Sequence, residues 1–459
     1  MFATQTYRSR RAALAQAMTG IGVFPANPPN PMNYANNTHP YVQDGCFAYF
    51  FGIRQAGLTG AIDFDSGESL LFGDDPTLDA LIWLGSSTPV AEFAARCGAG
   101  ARALSALPGW LAETSRGREV HYTLPYRAAV TLELAKVLDV AVETVAHRAS
   151  IALTRAIVAQ REIKSPEEIA EMESALDVTA RMHETAMHLA RPGTMEHAVS
   201  GAVEGVARAA DLNLAYPVVF SARGEVLHND RHDRRLEAGD LVVHDSGAMS
   251  RLGYASDITR TLPVGGRFDA RQRRCYEMVL EAQLAAIAAC HAGTPYLSVH
   301  KLAARVLAEG LAGEGVFRGE PREIVESGAY ALCFQTGVGH QIGLDVHDME
   351  ALGEDLVGYD GSVQRSALFG LRNLRMAKAL RTGMVVTVEP GLYFIPALID
   401  RWESERRHRD QIDYARVREF LPVHGIRIED DVLIADEGPR VLGPPIAKEV
   451  DEVEAAMGR

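Results

Sequence analysis

An α+β protein of two domains is what this sequence predicts, on three observations. Helical periodicities and strand-like runs occupy separate stretches, and the strands are joined by short turns that suit antiparallel hairpins. At 459 residues the chain exceeds the roughly 100–200 residues of one ordinary domain. A helix-start signature then appears at Lys164-Ser165-Pro166-Glu167-Glu168. It sets a smaller N-terminal α/β domain, residues 1–158, against a second domain of residues 159–459.

The elements follow in order. The N-terminal MFATQTYRSRRAALAQAMTG carries basic residues but no apolar core followed by a cleavage site, so it reads as an amphipathic first helix rather than a signal peptide. AIDFDSGESLLF, residues 61–72, alternates apolar and polar side chains around Ser66-Gly67, the pattern of a β-hairpin. An alanine-rich helical pattern runs over residues 128–161. At the boundary, Ser165 is an N-cap, Pro166 the first helical residue, and Glu168 completes a capping box. Ile169, Met172, Leu176, Met182 and Ala186 recur at helical spacing until Pro192-Gly193 stops the run. Further helices are expected over residues 195–210, 270–291 and 298–311. The strand-like runs are DLVVHDSGA, GYASDITRTLPV, GMVVTVEPGLYF and GIRIEDDVLIAD. The polar stretch 400–418 reads as an exposed helix inserted between two of them.

Composition excludes several classes. With 47% hydrophobic and 23% charged residues, the chain can bury a large core without staples. Its apolar stretches are strand-length, below the roughly 20 residues of a membrane helix. Five scattered cysteines without CxxC fit a reduced, cytoplasmic protein. A net charge of −14 with no basic stripe disfavours nucleic acid and anionic membranes.

The chemistry concentrates in four carboxylates placed where apolar residues would be expected. Asp245 ends the run Leu241-Val242-Val243, and Asp257 faces it if the two strands pair about a turn centred on Arg251. Glu389 follows the run ending at Val388 and precedes Pro390. Glu429 shares a strand face with Arg427 by period-2 alternation. One such acid alone is ordinarily a solvated strand end. Four together repel strongly, and divalent cations compensate them. His340, in QTGVGHQIGLDVHD, adds an imidazole among glycines. An oxygen-rich set with one nitrogen suits Mn²⁺, Co²⁺ or Fe²⁺ more than a closed structural Zn²⁺ site. Four carboxylates can bridge two ions about 3.5–4 Å apart. GVGHQIG lacks the spacing of a dinucleotide loop, and the histidines of HETAMH, five apart, do not share a helix face as HExxH requires. No GxSxG elbow or P-loop occurs.

DLVVHDSGA, YASDITRT, GHQIGLDVHD, VVTVEPGLY and GIRIEDDVLI resemble the five metal-site motifs of the pita-bread metallopeptidases, in the branch of aminopeptidase P and prolidase. YVQDGCFAYFFGI and LTGAIDFDSGESLLF resemble that branch's N-terminal domain. The resemblance implies a C-terminal pita-bread (creatinase/aminopeptidase-like) catalytic domain and a dinuclear-metal peptidase that hydrolyses the Xaa-Pro bond through a metal-bridging hydroxide. It implies that Asp245 holds one metal, that His340 and Glu389 chiefly hold the other, and that Asp257 and Glu429 bridge them, with manganese usual. It further implies that Glu389 also accepts and donates a proton, and that His228 and His347 contact substrate and steady the tetrahedral intermediate. Arg427 would orient the bridging glutamate, and Arg375 would pair with a dipeptide's carboxylate. Relatives form dimers or tetramers, and a homodimer is expected.

One position departs from the pattern. The family often carries histidine four residues before His340, where this chain has Thr336, a hydroxyl that cannot become cationic. Proline specificity rests on the resemblance; the Xaa-Pro bond lacks an N–H, so peptidases that hydrogen-bond that group reject it. Three alternatives are weighed against a peptidase trimming longer peptides: a strict dipeptidase, which Arg375 favours; a non-catalytic peptide- or protein-binding module; and a metal-free creatinase-like amidine hydrolase. Intact ligand positions count against the last two.

Overall fold

Residues 1–85 and 87–458 are described in a computed structural model; Ser86 and Arg459, the last residue of the expected second domain, lie outside the described residues. The chain forms two compact units. One comprises Met1–Glu162 and Met349–Val357, the other Ile163–Asp348 and Gly358–Arg459. The return segment 349–357 is invisible to a linear reading, because nothing local in it differs from an ordinary loop.

The first unit is built on a five-stranded sheet. Its order is Gly100–Arg102, Ser69–Phe72, Thr59–Asp63, Ile21–Pro25 and Val120–His121. The expected hairpin is present, with Ile62 opposite Ser69 and Thr59 opposite Phe72. Gly67, at φ 75°, allows the turn. Ile21, Val23, Leu70, Phe72 and Leu134 form its core. The first helix, Thr4–Ala17, buries Arg10 and Arg11 as well as Tyr7 and Leu14, which amphipathic reading would have turned to solvent. Arg11 satisfies its guanidinium on the carbonyls of Phe50 (2.6 Å) and Cys97 (2.8 Å). The helical pattern over 128–161 is three helices, Ala128–Val137, Val142–His147 and Ile151–Arg161. Asp139 adopts φ 51° and breaks the first, while the Ser150 side chain caps the third.

In the second unit the helix Pro166–Leu189 begins with the expected capping box: Ser165 accepts from the Glu168 amide, and Glu168 accepts from the Ser165 amide. Helices Glu196–Ala209, Ala270–Ala288 and Tyr296–Gly313 follow. They bury Met182, Val199, Val279 and Val299 in one core with sheet residues Phe220, Val242, Val386 and Ile426. One three-stranded sheet runs Ile258–Pro263, Leu241–Ser246, Val219–Ser221. A second runs Val385–Val388, Asp430–Ala435, Gly438–Val441, and Gly391–Tyr393 pairs with Gly425–Arg427. All these pairings are antiparallel, as the α+β expectation requires. The stretch 400–418 is not one exposed helix. It contributes to Pro396–Ser404 and Tyr414–Arg418, separated where Arg406 and His408 take positive φ, and Trp402 and Val417 are buried. Among the described residues no helix is long and apolar enough to cross a membrane.

Candidate metal centre

The hairpin that carries the two aspartates is displaced from the expected register. Asp245 lies opposite Thr259, and Ser246 opposite Ile258. The turn is therefore centred on Leu252, not Arg251. It closes through Ser250 N–H to the Tyr254 carbonyl (2.7 Å), with Gly253 at φ 99°. A three-residue turn ending in a left-handed glycine shifts every partner by two. The shift keeps side chains on their faces, so Asp257 remains a diagonal neighbour of Asp245.

The two aspartates meet on a residue that sequence reasoning missed. The Tyr216 hydroxyl is 2.7 Å from Asp245 Oδ1 and 2.5 Å from Asp257 Oδ1. The phenol is thus a donor shared between the two carboxyl groups. Burial, then the nearby Asp245 charge, pushes the Asp257 pKa from 3.8 to about 7. Burial and the two aspartates raise Tyr216 well above its ordinary range, so it stays a neutral donor. A tyrosine before Pro217 carries no signal by which it could have been singled out.

His340 is fixed from both sides. Its amide donates to Thr387 Oγ1 (3.1 Å), and its Nδ1 faces the Gln341 carbonyl at 3.0 Å. A carbonyl only accepts, so Nδ1 carries the proton and Nε2 presents its lone pair inward. Nε2 lies 3.5 Å from Asp257 Oδ2 and 3.6 Å from Glu389 Oε1. Gly339 is required here by close approach, since a Cβ would fall 2.1 Å from the Thr387 carbonyl oxygen. Ligand atoms of Asp257, His340 and Glu429 all lie within 4.8 Å of one another and are buried. Burial, followed by Asp257, Glu389 and Asp245, drives the Glu429 carboxyl well above the usual range, and burial raises Glu389 as well.

Arg427 reaches these acids from behind. Its Nη2 is 2.6 Å from Asp245 Oδ2, its Nε donates to Thr259 Oγ1 (3.1 Å) and its Nη1 to the Tyr393 hydroxyl (3.0 Å). The Thr259 hydroxyl in turn donates to Glu429 Oε2 at 2.6 Å. The arginine's hydrogen-bonded carboxylate partner is thus Asp245, and Thr259 links it to Glu429. Strand periodicity placed Arg427 on the right face but could not say which acid its tip would meet.

A cavity of about 590 Å³ opens on this cluster, lined by His228, Thr336, His347, Asn373 and Arg375 beside the acids. The His347 ring meets the His340 ring edge-on at 4.3 Å between centroids. Burial, then Arg427, holds His228 below its ordinary pKa. The HETAMH histidines do not converge: His183 is buried against His244, and His188 is exposed.

The chain resembles known proteins over nearly its whole length. The profile of metallopeptidase family M24 matches residues 170–436, and that of the aminopeptidase P N-terminal domain matches residues 7–122. The chain is 30% identical to the Xaa-Pro aminopeptidase of Escherichia coli, covering 99% of this chain and 97% of that protein. It is 28% identical to the human Xaa-Pro dipeptidase over 90% of this chain and 84% of that one. Among solved structures, Pseudomonas aeruginosa aminopeptidase PepP superposes with a TM-score of 0.82 at 29% identity, covering 100% of this chain and 98% of that one. E. coli aminopeptidase P with the inhibitor Pro-Leu gives 0.82 at 28% identity, covering 100% and 99%. These likenesses bear out the fold expected from the motifs, a pita-bread domain preceded by an aminopeptidase P N-terminal domain.

Proposed function

The chain belongs to metallopeptidase family M24, and on that premise we propose that it hydrolyses the Xaa-Pro bond at the N-terminus of peptides, dipeptides included. The convergence of Asp257, His340 and Glu429 carries the reading. The donor set fits a divalent cation on two counts. Burial and mutual repulsion force its carboxyls up in pKa, and the His340 tautomer leaves Nε2 free to coordinate. We assign Asp245, Asp257, His340, Glu389 and Glu429 as ligands of two such ions. Four carboxylates and one imidazole favour manganese, with cobalt, iron or zinc as substitutes. Bound there, divalent ions supply Lewis acidity, polarising a carbonyl and making water more acidic.

The chain's own residues do the rest. Glu389, its carboxyl basic through burial, is placed to take a proton and return it to the leaving imide nitrogen. His228, held neutral, and His347 offer N–H donors to a developing oxyanion. Arg427 aims the Asp245 carboxyl group. Arg375 lines the same cavity and supplies a guanidinium for a substrate carboxylate, which favours dipeptides. None of these contacts uses a scissile N–H, so proline, which lacks one, is accepted.

Five buried thiols without a disulfide support a cytoplasmic setting, and the homodimer is carried over from the resemblance. The deciding experiment is hydrolysis of Ala-Pro by chelator-treated protein before and after Mn²⁺ is added. Activity that is absent, then restored, is expected. Activity indifferent to chelation and metal overturns the reading.

A further inference from the structure

A buried ion pair in the second unit lies outside every role assigned above. Lys164 Nζ is 2.9 Å from Asp348 Oδ2, with side chains 1% and 2% exposed. Two ions so buried are held at a desolvation penalty that apolar residues would avoid, so a pair retained there is a candidate for specifying geometry.

The geometry it specifies is that of the loop 341–348. The Asp348 amide donates to the Gln341 carbonyl (2.8 Å), closing the loop on itself. Asp348 Oδ1 accepts the Asp345 amide (3.4 Å), and the Gly343 amide donates to the Asp345 carbonyl (3.1 Å). The pair fills the loop's interior: a Cβ on Gly343 would lie 2.6 Å from Asp348 Oδ2 and 3.0 Å from Lys164 Cε. Lys164 is itself anchored, its amide donating to the Gly383 carbonyl at 2.8 Å, one residue before the N-cap of the helix Pro166–Leu189. His340 stands at one shoulder of the loop and His347 at the other, and neither Lys164 nor Asp348 lines the cavity.

We propose that Lys164 and Asp348 are a positioning pair for the reaction. They lock the 341–348 loop so that His340 and His347 hold their mutual placement at the centre. The proposal rests on the reading that His340 ligates metal and His347 meets substrate. An apolar plug would fill the same space but exert no directional hold on the loop, and it would let the two imidazoles drift apart.

The test uses the full-length protein as Asp348→Asn, Lys164→Met and the double variant. Asp348→Asn keeps the shape and the oxygen that caps Asp345; the double variant is neutral, so it carries no stranded charge. The readouts are metal equivalents retained, the visible spectrum of the Co²⁺ form, kcat and KM on Ala-Pro, and thermal melting. The double variant is expected to melt close to the wild type while its Co²⁺ bands shift and kcat/KM falls about 10–100-fold. Wild-type spectrum and kcat/KM in the double variant, with or without a change in melting temperature, overturn the proposal. If Lys164→Met does not fold, Asp348→Asn decides on the same readouts. A wild-type chain that takes up no metal and cleaves no Xaa-Pro bond instead overturns the reading of the centre, and this proposal with it.

Discussion

In the metal-free chain, Asp257→Asn should stabilise the fold at neutral pH and do nothing of the kind at pH 5. Burial and Asp245 raise the Asp257 pKa from 3.8 to about 7. A raised folded-state pKa gives stability that is full below the unfolded value and lost as pH climbs through the folded one. Between pH 5 and 7 the unfolded chain has released this proton and the folded chain still binds it. At 1.36 kcal/mol per pH unit, that interval removes about 3 kcal/mol from the wild type. Three buried histidines work the other way. Burial lowers His244 and His300 to about 3 and His183 well below its usual value, so they cost stability as pH falls below 6.5. They are common to both proteins, and the difference between variant and wild type cancels them. Guanidinium denaturation of chelator-treated protein at pH 5, 6, 7 and 8 measures that difference. It should move by about 3 kcal/mol in favour of the variant as pH rises. A flat difference refutes the assignment of Asp257 as the acid that holds the proton. With Mn²⁺ present the order should reverse, because deprotonated ligands bind metal and the asparagine does not.

Three further outcomes are expected. Tyr216→Phe removes the donor shared by Asp245 and Asp257 and should weaken Mn²⁺ binding about tenfold by calorimetric titration; unchanged affinity would reduce the phenol to packing. Arg375→Ala should lower cleavage of Ala-Pro by roughly 10–100-fold, the size of a lost charge-assisted hydrogen bond, while sparing Ala-Pro-Ala-Ala; equal losses on both peptides would rule out carboxylate recognition. Trp402→Ala, deleting a side chain 1% exposed, should destabilise the fold by about 3–5 kcal/mol, read by denaturation of the metal-free protein.

What was legible in the sequence is what physics makes expensive. Asp245, Asp257, Glu389 and Glu429 stood out because acids at apolar strand positions need compensation, and the structure brings them together. The capping box at Ser165 was readable because its bonds are local. Long-range detail was not. The strand register depended on a turn centred one residue later than symmetry suggested, and the partner of Arg427 depended on where a flexible side chain ends. Tyr216 approaches the acids from a strand-poor segment, and nothing in its neighbours betrays that. The helix over 128–161 failed because alanine-rich periodicity survives a break that a single positive φ at Asp139 enforces.

The distribution of buried and half-buried cations explains why the acids of the cavity remain available to metal. Lys164 is committed to Asp348, while Arg260 and Lys448 both bind Asp430, at 2.7 and 2.6 Å. Asp430 neighbours Glu429 in sequence but points to the opposite strand face. Among the described residues, Arg427 is the buried arginine paired with one of the four clustered carboxylates, Asp245. The remaining supports, the hydroxyls of Thr259, Thr387 and Tyr216, orient carboxylates without neutralising them. Such a cluster is held in place by neutral donors and left short of positive charge. Protons fill the deficit at low pH, and divalent ions fill it when they displace those protons, so metal affinity should rise with pH over the range in which Asp257 and its neighbours ionise.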